Sequence, residues 1–136
     1  MKIKSLTPVV ATQKLAESRE FYAKLGFHAI FENDWYIQMR SGGSPPVEVA
    51  FVLPDYETQP PIFQPAYCGK GAIYTIEVDD VGEECSRLEK SGIKVALALR
   101  NEPWGERHFA VIDPNGIPVN ISQMIEPAKE YLPYFK

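Results

Sequence analysis

The strongest constraint on this chain is that its strand-helix pattern occurs twice. Apolar spacing and turn residues give the order strand, helix, three strands, and then the same order again. The halves align at an offset of 66 residues, which lays "FYAKLGF", ending at Phe27, over "SRLEKSGI", ending at Ile93. That offset also sets Thr7 over Ile73 and Val10 over Ile76. A short repeat of this kind describes two equivalent modules, neither of which covers its own apolar sheet face. Pairing the modules would bury that surface and leave a concave cup. The expected architecture is α+β: two βαβββ modules, at about 1–55 and 70–124, forming an incomplete barrel around a cup. With 136 residues this is a single domain, its modules joined by a Pro-rich loop and followed by a short C-terminal tail.

The local signals place the elements. "IKSLTPVVAT" is β-rich but carries Pro8, which belongs at an edge or an irregularity. Leu15, Phe21, Tyr22 and Leu25 have helical spacing, and Gly26 is a natural stop. "HAIFE", "DWYIQMR" and "VEVAFVLP" read as strands. Residues 54–70 hold four of the twelve prolines and no regular period, a long loop of the kind that often carries function. "GAIYTIEVDD" opens the second half, "DVGEECSRLEKSGI" is a helix, and "KVALAL", "RHFAVI" and "IPVNIS" are strands. The last two flank "DPNG", a type I turn sequence. "EPAKEYLPYF" can make one or two helical turns before Pro133 ends them.

Composition excludes several classes. A net charge of -4 and a pI near 5.2 argue against nucleic acid or an anionic membrane as partner. No apolar run is long enough to span a bilayer, and "MKIKSLTPVV" lacks the features of a signal peptide. Cys68 and Cys85 are too few for a disulfide scaffold, so reduced thiols and a cytoplasmic location are expected. There is no G-x-S-x-G, Cys-His pairing or phosphate-cradling loop, and Cys85 reads as helix core.

Strand alternation selects the residues that would line the cup. Ala72, Tyr74, Ile76 and Val78 form one apolar set, so Ile73, Thr75 and Glu77 face the other way, matched in the first half by Ser5, Thr7 and Val9. Asn120 alternates with Val119 and Ile121 and so faces away from the core. Trp104 precedes Gly105 at a strand mouth, where its indole can stack on a planar ligand or plug the barrel end. Arg107 can anchor an acidic or carbonyl group, or pair with a surface carboxylate. Of the adjacent Trp35 and Tyr36, one should line the pocket; Tyr56, Phe63 and Tyr67 are candidate lid aromatics. Glu48 stands alone on an apolar strand, either in water or as a cup carboxylate for a cationic ligand. His28 and His108 read as exposed or hydrogen-bonded strand residues.

"ESREFYAKLGF" at 17–27, "IYTIEVDDV" at 73–81 and "EPWGERHFAVIDPNGIPVNI" at 102–121, in this order, resemble the vicinal oxygen chelate superfamily of glyoxalase, bleomycin-resistance and extradiol dioxygenase proteins. The last segment is most similar to the drug-binding bleomycin- and mitomycin-resistance branch. The resemblance implies a homodimer and, in the enzymes, a divalent metal held by His, Glu or Gln on the first strand of each module and Glu on the last. Here those positions fall on Thr7, Ile73 and Asn120, with Glu48 offered by the equivalent strand of the first module. Thr and Asn are weak ligands and Ile is none. The resemblance therefore implies metal-independent sequestration of a small, partly aromatic organic molecule, with no cofactor and no catalytic residue. Trp104, Arg107, Asn120, Glu48, Thr7, Ile73, Thr75, Trp35 and Tyr36 are its candidate binding residues. The alternative is a lyase, isomerase or dioxygenase using a displaced metal or an acid–base step on Glu48 or Glu77; a third reading is a ligand sensor.

Overall fold

A computed structural model describes all residues, 1–136, and divides into two compact units, Met1–Gly69 and Lys70–Lys136. The first unit contains β1 (Val9–Ala11), α1 (Leu15–Lys24), β2 (Phe27–Glu32), β3 (Tyr36–Ser41) and β4 (Glu48–Val52). Its sheet has the order β1-β4-β3-β2, with β1 parallel to β4 and the other pairs antiparallel. The second unit repeats this with β5 (Tyr74–Glu77), α2 (Val81–Lys90), β6 (Val95–Glu102), β7 (Glu106–Ile112) and β8 (Pro118–Met124), in the order β5-β8-β7-β6. Again the first and last strands are parallel neighbours. These are the two βαβββ modules of an α+β fold.

Each helix packs on one face of its sheet through the alternate strand residues. In the first unit Tyr22 of α1 is 1% exposed and meets Phe27 and Phe51 at ring-centroid distances of 5.7 and 5.3 Å. Val10, Ile37, Met39 and Val49 are buried with them. In the second unit Val81, Cys85 and Leu88 of α2 are buried, as are Phe109, Val111, Val119 and Ile121 of the sheet. Burying a side chain of this size contributes roughly 1.5–3 kcal/mol, so these two clusters dominate the stability of their units. Burial, and secondarily the charge of Glu89, raises the Cys85 thiol pKa above its ordinary value, as befits a core cysteine. Helix α2 begins at Asp80, whose carboxylate accepts the Glu83 backbone N–H at 2.9 Å, with Glu83 and Glu84 in the first turn and Arg87 and Lys90 in the last.

The first strand is shorter than "IKSLTPVVAT" suggests. Pro8 has no N–H to pair, and regular pairing starts at Val9 on an edge strand, although the Pro8 carbonyl still accepts the Ala50 N–H at 2.9 Å. In contrast, β6 extends to Glu102, past the apolar run that signals it. The DPNG turn closes with Gly116 N–H donating to the Asp113 carbonyl at 3.0 Å, and the buried Asp113 carboxylate accepts the Asn115 and Ile117 N–H groups at 2.8 and 2.9 Å. The C-terminal segment is a 3-10 helix over Lys129–Tyr134, with Pro133 inside it rather than terminating it. No helix is long and apolar enough to cross a membrane.

Candidate functional site

The face of the second sheet away from α2 is polar. Cross-strand register places Thr75 opposite Asn120, Asn120 opposite Ala110, Ser122 opposite His108, and Met124 opposite Glu106. Across the other edge of β7, Arg100 opposes His108 and Glu102 opposes Glu106. Residues directly opposite share a face, so these side chains form one continuous row. They connect through hydrogen bonds. Asn120 Nδ2 donates to Glu106 Oε1 at 2.7 Å and reaches Thr75 Oγ1 at 3.4 Å, which turns Asn120 Oδ1 toward His108 Nδ1, 2.8 Å away. On the other side of the ring, His108 Nε2 lies 3.1 Å from Glu102 Oε1, and Arg100 pairs with the same carboxylate. Both ring nitrogens of His108 thus face a side-chain oxygen.

The carboxylates of this network are held ionised. For Glu106, burial works against charge, but hydrogen bonds from Trp104, Asn120 and Ser122 and the nearby His108 outweigh it, lowering the pKa below the ordinary 4.5. For Glu102 the hydrogen bond with His108 leads, burial opposes it, and Arg100 adds to the lowering.

The network reaches the surface at Trp104. Residues 103–105 form the turn between β6 and β7, with Gly105 N–H donating to the Glu102 carbonyl at 3.1 Å. Trp104 Nε1 donates to Glu106 Oε2 at 2.7 Å, fixing the indole while leaving Trp104 42% exposed. Gly105 has φ +98°, and a Cβ there would come within 3.0 Å of the Ile125 carbonyl oxygen and 3.1 Å of the Pro127 Cβ. The C-terminal segment therefore lies directly on this turn, held by Ile125 N–H to the Gly105 carbonyl at 2.9 Å and Ala128 N–H to the Pro103 carbonyl at 2.8 Å. Beyond those bonds, Tyr131, Tyr134 and Phe135 share a cleft with Trp104 and Met124. Together with Thr75, Glu77, Glu106 and Ser122 they line a cleft of ≈ 390 Å³.

The first unit carries a cleft of different character. Val9, Ala11, Tyr36 and Val52 of the sheet face Gln59, Ile62, Phe63, Pro65 and Tyr67 of the long loop across ≈ 470 Å³. The loop is tied to β1 by Tyr67 N–H donating to the Ala11 carbonyl at 2.8 Å. Beside this cleft, Glu48 accepts from Gln38 Nε2 at 2.6 Å, Arg40 Nε at 2.7 Å and Thr7 Oγ1 at 3.3 Å. Those hydrogen bonds, Arg40 first, lower its pKa against the effect of burial. Tyr36 shifts upward, chiefly by burial and then by the charge of Glu48.

The structure thus sorts the residues singled out in the sequence. Trp104 and Thr75 border the second-unit cleft, and Asn120 supports it through Glu106. Tyr36 borders the first-unit cleft, whereas Trp35 stacks on Tyr56 at 4.9 Å, which also withdraws Tyr56 from a lid role. Arg107 does not join Trp104. It opposes Asn101 and Gln123 on the helix side of the sheet, donates to Asn101 Oδ1 at 2.7 Å, and its neighbour Gln123 accepts the N–H of Val81 at the start of α2. Glu48 is neither free nor open to a cationic ligand, because Arg40 occupies it. His28 is exposed, while His108 is the buried centre of the polar network, a role for which the sequence carried no signal.

Register also corrects the correspondence between modules. Asn120 pairs with Thr75, and Thr75 corresponds to Val9, whose partner is Ala50; the counterpart of Asn120 is therefore Ala50, two residues past Glu48. Thr7 and Ile73 both precede the regular strands, and Ile73 is 64% exposed. Of these positions, Asn120 has both ends of its amide engaged, Thr7 is bonded to Glu48, and Ala50 and Ile73 offer no side-chain donor atom. Glu102 and Glu106 approach His108 from opposite ring nitrogens, so they do not converge on one point, and no three His, Cys, Asp or Glu side chains elsewhere do so.

Comparison with known proteins gives the class of the chain. Residues 3–121 match the glyoxalase/bleomycin resistance protein/dioxygenase superfamily, and the chain belongs to it. Among curated protein sequences none matched. Solved structures with the same fold include the bleomycin resistance determinant encoded on transposon Tn5, at 18% identity and TM-score 0.66 over 90% of this chain and 98% of that one. They include a bleomycin-binding protein complexed with bleomycin, at 19% identity and TM-score 0.65 over 89% and 98%. They also include a lactoylglutathione lyase from Agrobacterium tumefaciens, at 18% identity and TM-score 0.70 over 88% and 92%.

Proposed function

We propose that the protein binds a small, partly aromatic organic molecule without a metal and without converting it chemically. The observation that carries this reading is the fixed indole of Trp104 beside a cleft walled by Tyr131, Tyr134 and Phe135. Ring faces held at set positions bind planar molecules at little entropic cost. Thr75 adds a hydroxyl that orients a guest, and Asn120 and Ser122 hold Glu106 in place. The donor chemistry at Thr7, Ile73, Ala50 and Asn120 supports metal independence. Likeness to the bleomycin-resistance proteins supports sequestration of an antibiotic as the biological form of this binding, and a cytoplasmic homodimer is the form proposed for it.

The test is calorimetric titration of planar aromatic compounds, bleomycin among them, into metal-free protein with chelator present, beside the variant Trp104→Ala. Saturable binding that survives chelator and weakens at least tenfold in the variant is expected. Stoichiometric uptake of nickel, manganese, iron(II) or zinc, with binding or turnover that depends on it, would overturn the reading.

A further inference from the structure

The lining of the second-unit cleft carries a charge pattern that goes beyond aromatic stacking. Two carboxylates, Glu77 on β5 and Glu106 on β7, face it, and no Lys or Arg side chain does. Glu106 accepts hydrogen bonds from Trp104 and Asn120, with His108 Nδ1 3.5 Å away. Glu77 takes part in none of the ion pairs of the structure. The lining also includes four aromatic residues, Trp104, Tyr131, Tyr134 and Phe135, and an aromatic ring offers a cation negative potential at its face. Carboxylate and ring faces pull in the same direction, and together they reject an anion and favour a cation.

We propose that this cleft recognises a positively charged nitrogen, a protonated or quaternary amine attached to an aromatic body, with Glu77 as the specificity-determining carboxylate and the C-terminal tail as part of the site. The aromatic body stacks on Trp104, and the ammonium sits among the tail rings on the Glu77 side. Arg107 has no part in this recognition, since it lies on the other face of the sheet. The inference rests on the reading of the cleft as an aromatic-binding site.

Three probes with one ring system and three charges test it: 2-naphthylmethylammonium, 2-naphthylmethanol and 2-naphthoate, each titrated calorimetrically at pH 7 into the full chain. The ammonium is expected to bind at least tenfold more tightly than the alcohol, and the carboxylate most weakly. Glu77→Gln, an exposed strand substitution that does not disturb the core, should weaken the ammonium threefold to tenfold and leave the alcohol unchanged. If alcohol and ammonium bind equally in a Trp104-dependent way, or Glu77→Gln weakens both alike, the charge inference is overturned while the aromatic site stands. If no probe shows Trp104-dependent binding, the site itself is refuted and the inference with it.

Discussion

Replacing Gly105 with alanine tests whether the C-terminal tail is a wall of the cleft. At φ +98° an L-residue lies beyond the left-handed well, at a cost of about 1–2 kcal/mol. The added methyl group would also sit 3.0 Å from a backbone oxygen and 3.1 Å from a proline carbon, neither of which is the end of a flexible side chain. Overpacking of this kind costs about 1–3 kcal/mol. Gly116, in the DPNG turn, supplies the control: its φ is +82°, and a Cβ there meets nothing within 4 Å. Gly116→Ala therefore carries the backbone cost alone. At several degrees per kcal/mol, Gly105→Ala should lower Tm by roughly 10 °C and Gly116→Ala by roughly half as much. The chain can escape the clash by releasing the tail, which restores part of the Tm but removes Tyr131, Tyr134 and Phe135 from Trp104. Ligand affinity must then fall several-fold. Thermal scans with naphthalene-probe titrations on both variants distinguish the cases. Equal Tm and equal affinity in the two variants would refute the packing of the tail on this turn.

Two further outcomes follow from the polar network and the hairpin turn. Glu48, Glu102 and Glu106 have folded-state pKa values below the ordinary 4.5, so their stabilisation is full above that value and is lost as pH falls through the folded values. Urea midpoints should decline as pH falls below about 4.5, and Glu106→Gln should make that decline shallower; an unchanged acid limb would remove Glu106 from the account. Asp113→Ala leaves the Asn115 and Ile117 N–H groups without their acceptor and should cost about 1–3 kcal/mol in denaturant unfolding, whereas Asp113→Asn, which keeps the acceptor oxygen, should cost less.

The sequence was legible where local chemistry and periodicity agree. Alternation of Ala72, Tyr74, Ile76 and Val78 with Ile73, Thr75 and Glu77 marks the two faces of β5 and its approach, and the second set is the exposed one. The helix spans and the DPNG turn were readable for the same reason: the residues that make them lie within one or two turns of each other. Arg107 was not, because the hairpin loop resets the alternation, and only the register of β7 with β8 decides its side. His108 was readable as a hydrogen-bonded strand residue but not as the centre of a network, because its partners, Glu102 and Asn120, are 6 and 12 residues away and meet it only across strands. The tail gave a misleading signal. Pro133 is incompatible with an α-helix interior, but the segment is a 3-10 helix that runs one residue past it.

The parallel pairing of first and last strands has a consequence for how each half is assembled. In the first unit Val10 must meet Phe51, and in the second Ile76 must meet Ile121, so every other element lies inside a loop closed by that one contact. Such a unit cannot be built by adding hairpins one at a time to a finished edge: the opening segment has nowhere to dock until the closing one exists. Closing so long a loop is an entropic barrier taken once per half. A cut at the Gly69–Lys70 boundary leaves every strand pairing within a covalently continuous half, whereas a cut inside either loop severs the ring. Each half is thus a self-contained circuit, the form in which a piece of chain can be copied whole and still know how to close.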